Sequence, residues 1–485
     1  MHPTSTTSMN TTKEILGKIL AQVAEHARNR HEDCETLPTL PPKPLSDGSP
    51  SLASLGLPDH GAGLEATFGE LMTTLVPSLS NSAGPRHFSL VIGGVTPAAL
   101  VADWLTSLYD QNAILAMPVA YSGQTEITLQ ACDMLLHLLN LPAETFRAIL
   151  TTGSTSSNIE AVALARQWLG RTRFGLDYSQ DGYNGQVVLL TDRAHVTIYK
   201  AASMLGIGRN QIFEMTGAIE DEHVLEAQLQ EFASQGKAVM VAVGFGEVNA
   251  GIFPRKGAVR RMAEVCRRHG AFLHIDAAFG AFARCSPRYA ELADGLEFAD
   301  SITDLARVFG SAAAYLRQPV PGEPIHPMNL SIENSQRFRA LPVWATLRAY
   351  GREGYRKMVE DNCHFANTMH NWMKFERPDL WTVLEDECPL NIVVFAAAAS
   401  SSSVSRGKGE EDGKTVEKKR QDAVVKALND TGVAFFSGTM WRGRPGIRAA
   451  ISNWRTNVDK DWDAVRGLLE SVGGAVQTDI NTPAH

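Results

Sequence analysis

Three apolar runs, at residues 186–191, 238–243 and 271–275, alternate with helical patterns at 157–169, 196–205 and 255–269. A strand buried on both faces reads as an unbroken apolar run, and a parallel sheet covered by helices is the setting that buries both faces. The alternation therefore predicts βαβ units and an α/β fold on a mainly parallel sheet. A chain of 485 residues that is 44% hydrophobic can bury two or three cores. After residue 334 the texture changes to a long helical region, strands at 390–395 and 433–437, and a closing helix at 459–472. That order predicts a smaller C-terminal α+β domain.

The flanks differ in composition. Residues 1–80 read as an N-terminal arm and linker, with an amphipathic stretch at 13–30 behind a Thr12 N-cap and a Pro/Ser/Gly-rich connector at 37–63. The large domain is then expected over 81–325 and the small one over 326–485. Residues 396–419 run through Ala, Ser and mixed charge with little bulky apolar content, which predicts a disordered surface insertion. The net charge of −8, with both signs interspersed, offers no basic face for nucleic acid. There is no run of about 18 apolar residues, so no membrane span is expected. The six cysteines lie far apart with no Cys-x-x-Cys spacing, and no apolar leader follows Met1; reduced thiols in a cytoplasmic protein are expected.

Three short segments carry the chemistry. Thr151-Thr152-Gly153-Ser154-Thr155-Ser156-Ser157-Asn158 opens a helical pattern, so its amides and hydroxyls can converge on an anion such as phosphate; a plain N-cap accounts for it equally well. Ala194-His195 ends a strand just before a helix, where an imidazole can stack on a planar ring or serve as a turn residue. Lys200, on the helix that follows, reads as a solvated surface charge. About 80 residues after His195, the run Phe272-Leu273-His274-Ile275-Asp276-Ala277-Ala278-Phe279-Gly280 places a carboxylate at the mouth of a buried strand. A buried carboxylate needs a partner, because leaving it bare costs several kcal/mol. Backbone amides or a protonated ring nitrogen would serve, and His274 beside it reads as a core or supporting residue.

With these segments in this order, the chain resembles the group II pyridoxal-dependent decarboxylases of fold type I, which include aromatic amino acid, glutamate and diaminobutyrate decarboxylases. The likeness runs over about residues 85–469. Its marks are Gly93-Gly94-Val95-Thr96-Pro97, Asp103-Trp104, Thr152-Gly153-Ser154-Thr155 with Asn158, Ala194-His195, and Phe245-Gly246-Glu247-Val248-Asn249-Ala250-Gly251. Further marks are His274 to Gly280, Glu333-Asn334-Ser335, Arg339-Ala340-Leu341-Pro342-Val343-Trp344, and Gly446-Ile447-Arg448-Ala449-Ala450-Ile451-Ser452-Asn453-Trp454.

The resemblance implies a fold-type-I dimer that uses pyridoxal 5'-phosphate (PLP) to decarboxylate an L-amino acid. It implies that Ser154 and Thr155 hold the phosphate, His195 stacks on the ring, Asp276 pairs with the ring nitrogen, and Ala278 packs beneath it. One departure stands out. The family carries Asp-x-His-Lys after the next strand, and its lysine anchors PLP covalently; here the stretch reads Ser301-Ile302-Thr303-Asp304-Leu305-Ala306-Arg307 and is several residues shorter. Arg307 falls nearest the lysine position and Ala306 replaces the histidine before it. A guanidinium stays protonated and is a poor nucleophile, so it does not substitute. Three accounts stand beside one another: a coding segment clipped from this sequence, a natural pseudoenzyme that partners an active paralogue, or a PLP protein working without the covalent link. An aminotransferase is the alternative enzyme reading.

Overall fold

The computed structural model describes residues 5–41, 56–112, 123–215, 219, 221–303, 307–309, 332–333, 335–398 and 410–481. They form two compact units: residues 95–363 with 387–392, and residues 1–94 with 364–386 and 393–485. The dividing points at 94/95 and 363/364 differ from the expected 80/81 and 325/326. The N-terminal residues fold with the C-terminal ones, a pairing that local sequence texture does not reveal.

The helices are α1 (Ser5–Asp33), α2 (Leu64–Glu70), α3 (Pro97–Tyr109), α4 (Gln124–Leu138), α5 (Ser154–Phe174), α6 (Tyr178–Asp181), α7 (Val196–Met204), α8 (Glu222–Ser234), α9 (Ala258–His269), α10 (Ala340–Asn371), α11 (Glu410–Asp430) and α12 (Val458–Asn481). The strands are β1 (Ala148–Ile149), β2 (Val187–Asp192), β3 (Ile212–Glu214), β4 (Ala238–Gly244), β5 (Phe272–Asp276), β6 (Ser301–Thr303), β7 (Arg307–Phe309), β8 (Trp381–Val383), β9 (Ile392–Ala397), β10 (Ser437–Trp441) and β11 (Arg444–Ala450).

In the unit centred on residues 95–363, seven strands pair in the order β1-β7-β6-β5-β4-β2-β3. Strands β6, β5, β4, β2 and β3 run parallel, while β7 runs antiparallel to both β6 and β1. The predicted mainly parallel sheet is present. Its central strands are covered on both faces: Leu189, Leu190, Met240, Val241, Leu273 and Ile275 are fully buried. On one side α5 contributes Val162, Ala165 and Leu169, and α7 contributes Ile198, Ala201 and Ala202, to a core shared with Leu189, Met240 and Phe272. Small residues at these helical positions let the helices lie close to the sheet.

The carboxyl ends of β4 and β5 are locked together by backbone. The Phe245 amide donates to the Asp276 carbonyl at 2.9 Å. A Cβ on Gly280 would lie 2.3 Å from the Phe245 carbonyl oxygen, so only glycine lets the two turns meet. Asp276 is thereby held at the strand's carboxyl end, where ligands bind in open α/β sheets.

The other unit holds the sheet β10-β11-β9-β8, with β10/β11 and β8/β9 antiparallel, consistent with the expected small α+β domain. The strand expected at 433–437 begins only at Ser437, and its hairpin partner β11 was not anticipated. The disordered insertion expected at 396–419 is contradicted at both ends, where β9 runs to Ala397 and α11 starts at Glu410; residues 399–409 lie outside the described residues. Helix α1 begins at Ser5, so Thr12 is not its N-cap. This helix is docked: Arg455 donates to the His31 ring at 2.6 Å and to Glu35 at 3.3 Å, and Asn81 donates to the Cys34 and Leu37 carbonyls at 2.9 and 3.1 Å. Burial, followed by the Arg455 charge, lowers the His31 pKa and keeps the ring an acceptor. Among the described residues no helix is long and apolar enough to cross a membrane.

Candidate active site

The site-forming elements converge at the carboxyl edge of the parallel strands, and all belong to the same unit. Helix α5 opens at Gly153 with φ 154° and no side chain capping its amides. In contrast, α3, α7 and α8 are capped by Thr96, His195 and Asp221. The uncapped 21-residue helix leaves amide donors and its dipole facing outward. Ser154 and Thr155 occupy its first turn and are only partly buried. That arrangement fits a phosphate, as a glycine-opened helix N-terminus flanked by hydroxyls should.

His195 sits at the mouth of α7 as its N-cap and is exposed. Its Nδ1 lies 2.8 Å from the Thr197 hydroxyl and accepts from the Thr197 amide at 3.4 Å. Asp276, the last residue of β5, keeps its carboxylate partly open while Ala278 reaches back with its amide at 3.4 Å to Oδ1. Burial pushes the Asp276 pKa up; the hydrogen bonds from Asn158 and Ala278 and the nearby His195 oppose that rise. A carboxylate desolvated in this way has no cationic partner among those bonds, and a protonated pyridine nitrogen suits it in charge and chemistry.

Beneath these residues lies a buried polar cluster that the sequence reading missed. Asn158 donates from Nδ2 to Asp276 Oδ2 at 3.0 Å and to the Thr197 hydroxyl at 2.8 Å. Its Oδ1 accepts from Thr303 at 2.8 Å and contacts His274 Nε2 at 3.1 Å. The other ring nitrogen of His274 lies 2.8 Å from the Ser301 hydroxyl. Asn158, His274, Ser301 and Thr303 are all fully buried. The signal was available: Asn158 stands at helical spacing from Ala161, Val162, Ala165 and Leu169, a polar residue in line with apolar ones. An amide on an apolar helical face has to be satisfied by something specific. His274 is confirmed as a core residue with a defined job.

The family model for the pyridoxal-dependent decarboxylase conserved domain matches residues 49–306 and 303–398. The chain belongs to the pyridoxal-dependent decarboxylase family. By descent it is a PLP-dependent amino acid decarboxylase, a carbon–carbon lyase. Tryptophan decarboxylase 1 of Oryza sativa subsp. japonica is 24% identical over 480 residues, which covers 90% of this chain and 89% of the rice protein. The aromatic-L-amino-acid decarboxylase of Bacillus atrophaeus is 24% identical over 436 residues, 83% of this chain and 84% of its own. Among solved structures, Oryza sativa TDC with PLP and tryptamine superposes with a TM-score of 0.78 at 21% identity, covering 97% and 99% of the two chains. Mouse CSAD in its apo form gives 0.77 at 19% identity, over 96% and 99%. Both carry the fold-type-I architecture.

The two stretches of the family match meet at residues 303–306, where this decarboxylase homologue departs from its family. Only three residues separate β6 from β7. Asp304, Leu305 and Ala306 lie outside the described residues, as does the Arg307 side chain. No lysine occurs in the sequence between Lys256 and Lys357. The anchor lysine that family membership leads one to expect in this stretch is therefore missing from the chain.

Proposed function

We propose that this chain binds PLP reversibly through Ser154, Thr155, His195, Asp276 and Ala278, and that as written it does not turn over at a useful rate. The ancestral reaction in this reading is α-decarboxylation of an L-amino acid, aromatic first and acidic or diamino second. One observation carries it: a desolvated Asp276 beside an uncapped α5, in a chain with no lysine from Lys256 to Lys357. PLP supplies an electron sink for the bond-breaking step when its ring nitrogen is protonated. The protein's share is to hold that proton at the ring nitrogen through Asp276, to support the ring between His195 and Ala278, and to bind the phosphate at Ser154 and Thr155.

Borohydride reduction in the presence of PLP, followed by peptide mass spectrometry, is the test. No phosphopyridoxyl adduct on any lysine near the site is expected, and none on Lys200. A stoichiometric adduct on Lys200 would overturn the reading. Restoring the family's Asp-x-His-Lys segment and assaying a panel of L-amino acids then reads the ancestral chemistry. CO2 release supports decarboxylation, keto acid without CO2 points to an aminotransferase, and no turnover points to a non-catalytic partner of an active paralogue.

The same reading makes the protein a cytoplasmic homodimer. Support for a second copy comes from α3, where Val101, Trp104, Leu105 and Leu108 form an exposed stripe at helical spacing and Leu108 is 75% exposed. The six cysteines are all buried thiols, in keeping with a reducing compartment. Sedimentation of the wild type and of Leu108→Glu separates the cases: a dimer that the variant dissociates is expected, and a wild-type monomer at micromolar concentration would refute it.

A further inference from the structure

The buried amide of Asn158 spends all of its hydrogen-bonding capacity, two donors and two acceptor lone pairs, on four side chains from three elements of the site, α7, β5 and β6. Its orientation is fixed from below. Thr303 donates to Oδ1 at 2.8 Å, and His274 contacts the same oxygen through Nε2 at 3.1 Å. An amide oxygen only accepts, so His274 carries its proton on Nε2, and Nδ1 then accepts from the Ser301 hydroxyl at 2.8 Å. Turned the other way, the amide would set its oxygen against the Asp276 carboxylate and its N–H against another donor. The network therefore has one sense of polarity. It runs from Ser301 through His274 to Asn158 and divides there. One branch donates to Asp276 Oδ2; the other donates to the Thr197 hydroxyl, which passes its own proton to His195 Nδ1 at 2.8 Å.

We propose that Asn158 is a positioning residue of this site, holding Asp276 ionised and aimed at the cofactor's ring nitrogen while setting, through Thr197, the tautomer of the stacking His195. The proposal rests on the cofactor reading above. The physical reason is that a donor fixed against a carboxylate stabilises the ionised form and offers nothing comparable to the acid. A buried carboxylate without it would take up a proton and lose its charge-based hold on a pyridinium. Asn158 touches neither ring nor substrate in this account; it acts through Asp276 and His195.

The experiment is a double-mutant cycle read by PLP affinity and by the 15N chemical shift of ring-labelled PLP bound to the full chain. In Asn158→Ala the affinity is expected to fall about ten- to a hundredfold, the scale of a hydrogen bond to a charged group. The ring-nitrogen signal is expected to move toward the unprotonated form at a pH where the wild type stays protonated. In an Asp276→Asn background, adding Asn158→Ala should cost clearly less affinity than in the wild type, because the carboxylate branch is already gone and only the Thr197–His195 branch is left to lose. Equal losses in both backgrounds would mean that Asn158 is a packing residue only, and an unchanged shift in the folded single variant would overturn the proposal. If Asn158→Ala does not fold, Thr303→Val removes one of the bonds that orient the amide and is expected to move the same 15N signal by a smaller step; no movement there also overturns it. Wild-type protein that fails to bind PLP at all sinks the cofactor reading itself, a result distinct from a bound cofactor indifferent to Asn158.

Discussion

Asp276→Asn should push the apoprotein and the PLP complex in opposite directions. In the apoprotein, burial raises the Asp276 pKa above its unfolded value, so the folded state holds this proton more tightly than the unfolded chain. The contribution to stability is then fully present below the unfolded pKa and is lost as pH rises through the raised folded value. Every tenfold tightening of the proton by folding corresponds to about 1.4 kcal/mol. An asparagine is neutral at every pH and can still accept from Asn158 through its own carbonyl. The apo variant is therefore expected to be more stable than wild type near about pH 8, with the gap closing below about pH 4, where the unfolded carboxylate also protonates. With PLP the sign reverses. Removing one member of a buried charged pair costs about 2–5 kcal/mol of binding, or roughly 30- to 4,000-fold in Kd. Denaturant melts of both apoproteins across this pH range, together with PLP titrations, provide the measurement. An apo variant less stable than wild type at alkaline pH, or PLP affinity within about threefold of wild type, would refute the reasoning.

The remaining predictions probe other parts of the molecule. Ser154→Ala combined with Thr155→Ala should weaken PLP about tenfold or more and leave the weaker binding of phosphate-free pyridoxal unchanged, as fluorescence titration would reveal. Leu169→Ala, at a fully buried position of α5, should cost about 2–5 kcal/mol in a urea melt. Arg455→Ala should release α1, read as faster tryptic cleavage after Arg28 and Arg30 at unchanged global stability of the seven-stranded unit.

The sequence carried the parts of the fold that are written locally. The runs at 186–191, 238–243 and 271–275 became β2, β4 and β5 to within a residue or so at each end, because strands covered on both faces must be apolar along their length. Asp276 was placed for the same reason, as the last residue of β5, whereas His195 lies three residues past the end of β2 and caps α7 instead of ending the strand. Pairings between distant segments were not legible. Strand β7 runs against its neighbours although nothing in Arg307-Val308-Phe309 marks its direction. Asn158 and Thr303 meet across 145 positions, and only the folded sheet makes Thr303 a partner in place of an ordinary strand residue. The two units draw on segments far apart in the chain, and local composition does not show which distant segments pack together.

The tie between α1 and Arg455 spans 424 positions of the chain. On a ribosome adding about 5–20 residues per second, α1 emerges roughly 20–80 s before the arginine that docks it exists. For that interval Ile19, the side chain of α1 that is buried in the folded protein, has no native surface waiting. Helix α1 is thus made long before the residue that ties it down. A nascent chain stalled short of residue 455 should leave α1 open to protease or to a chaperone.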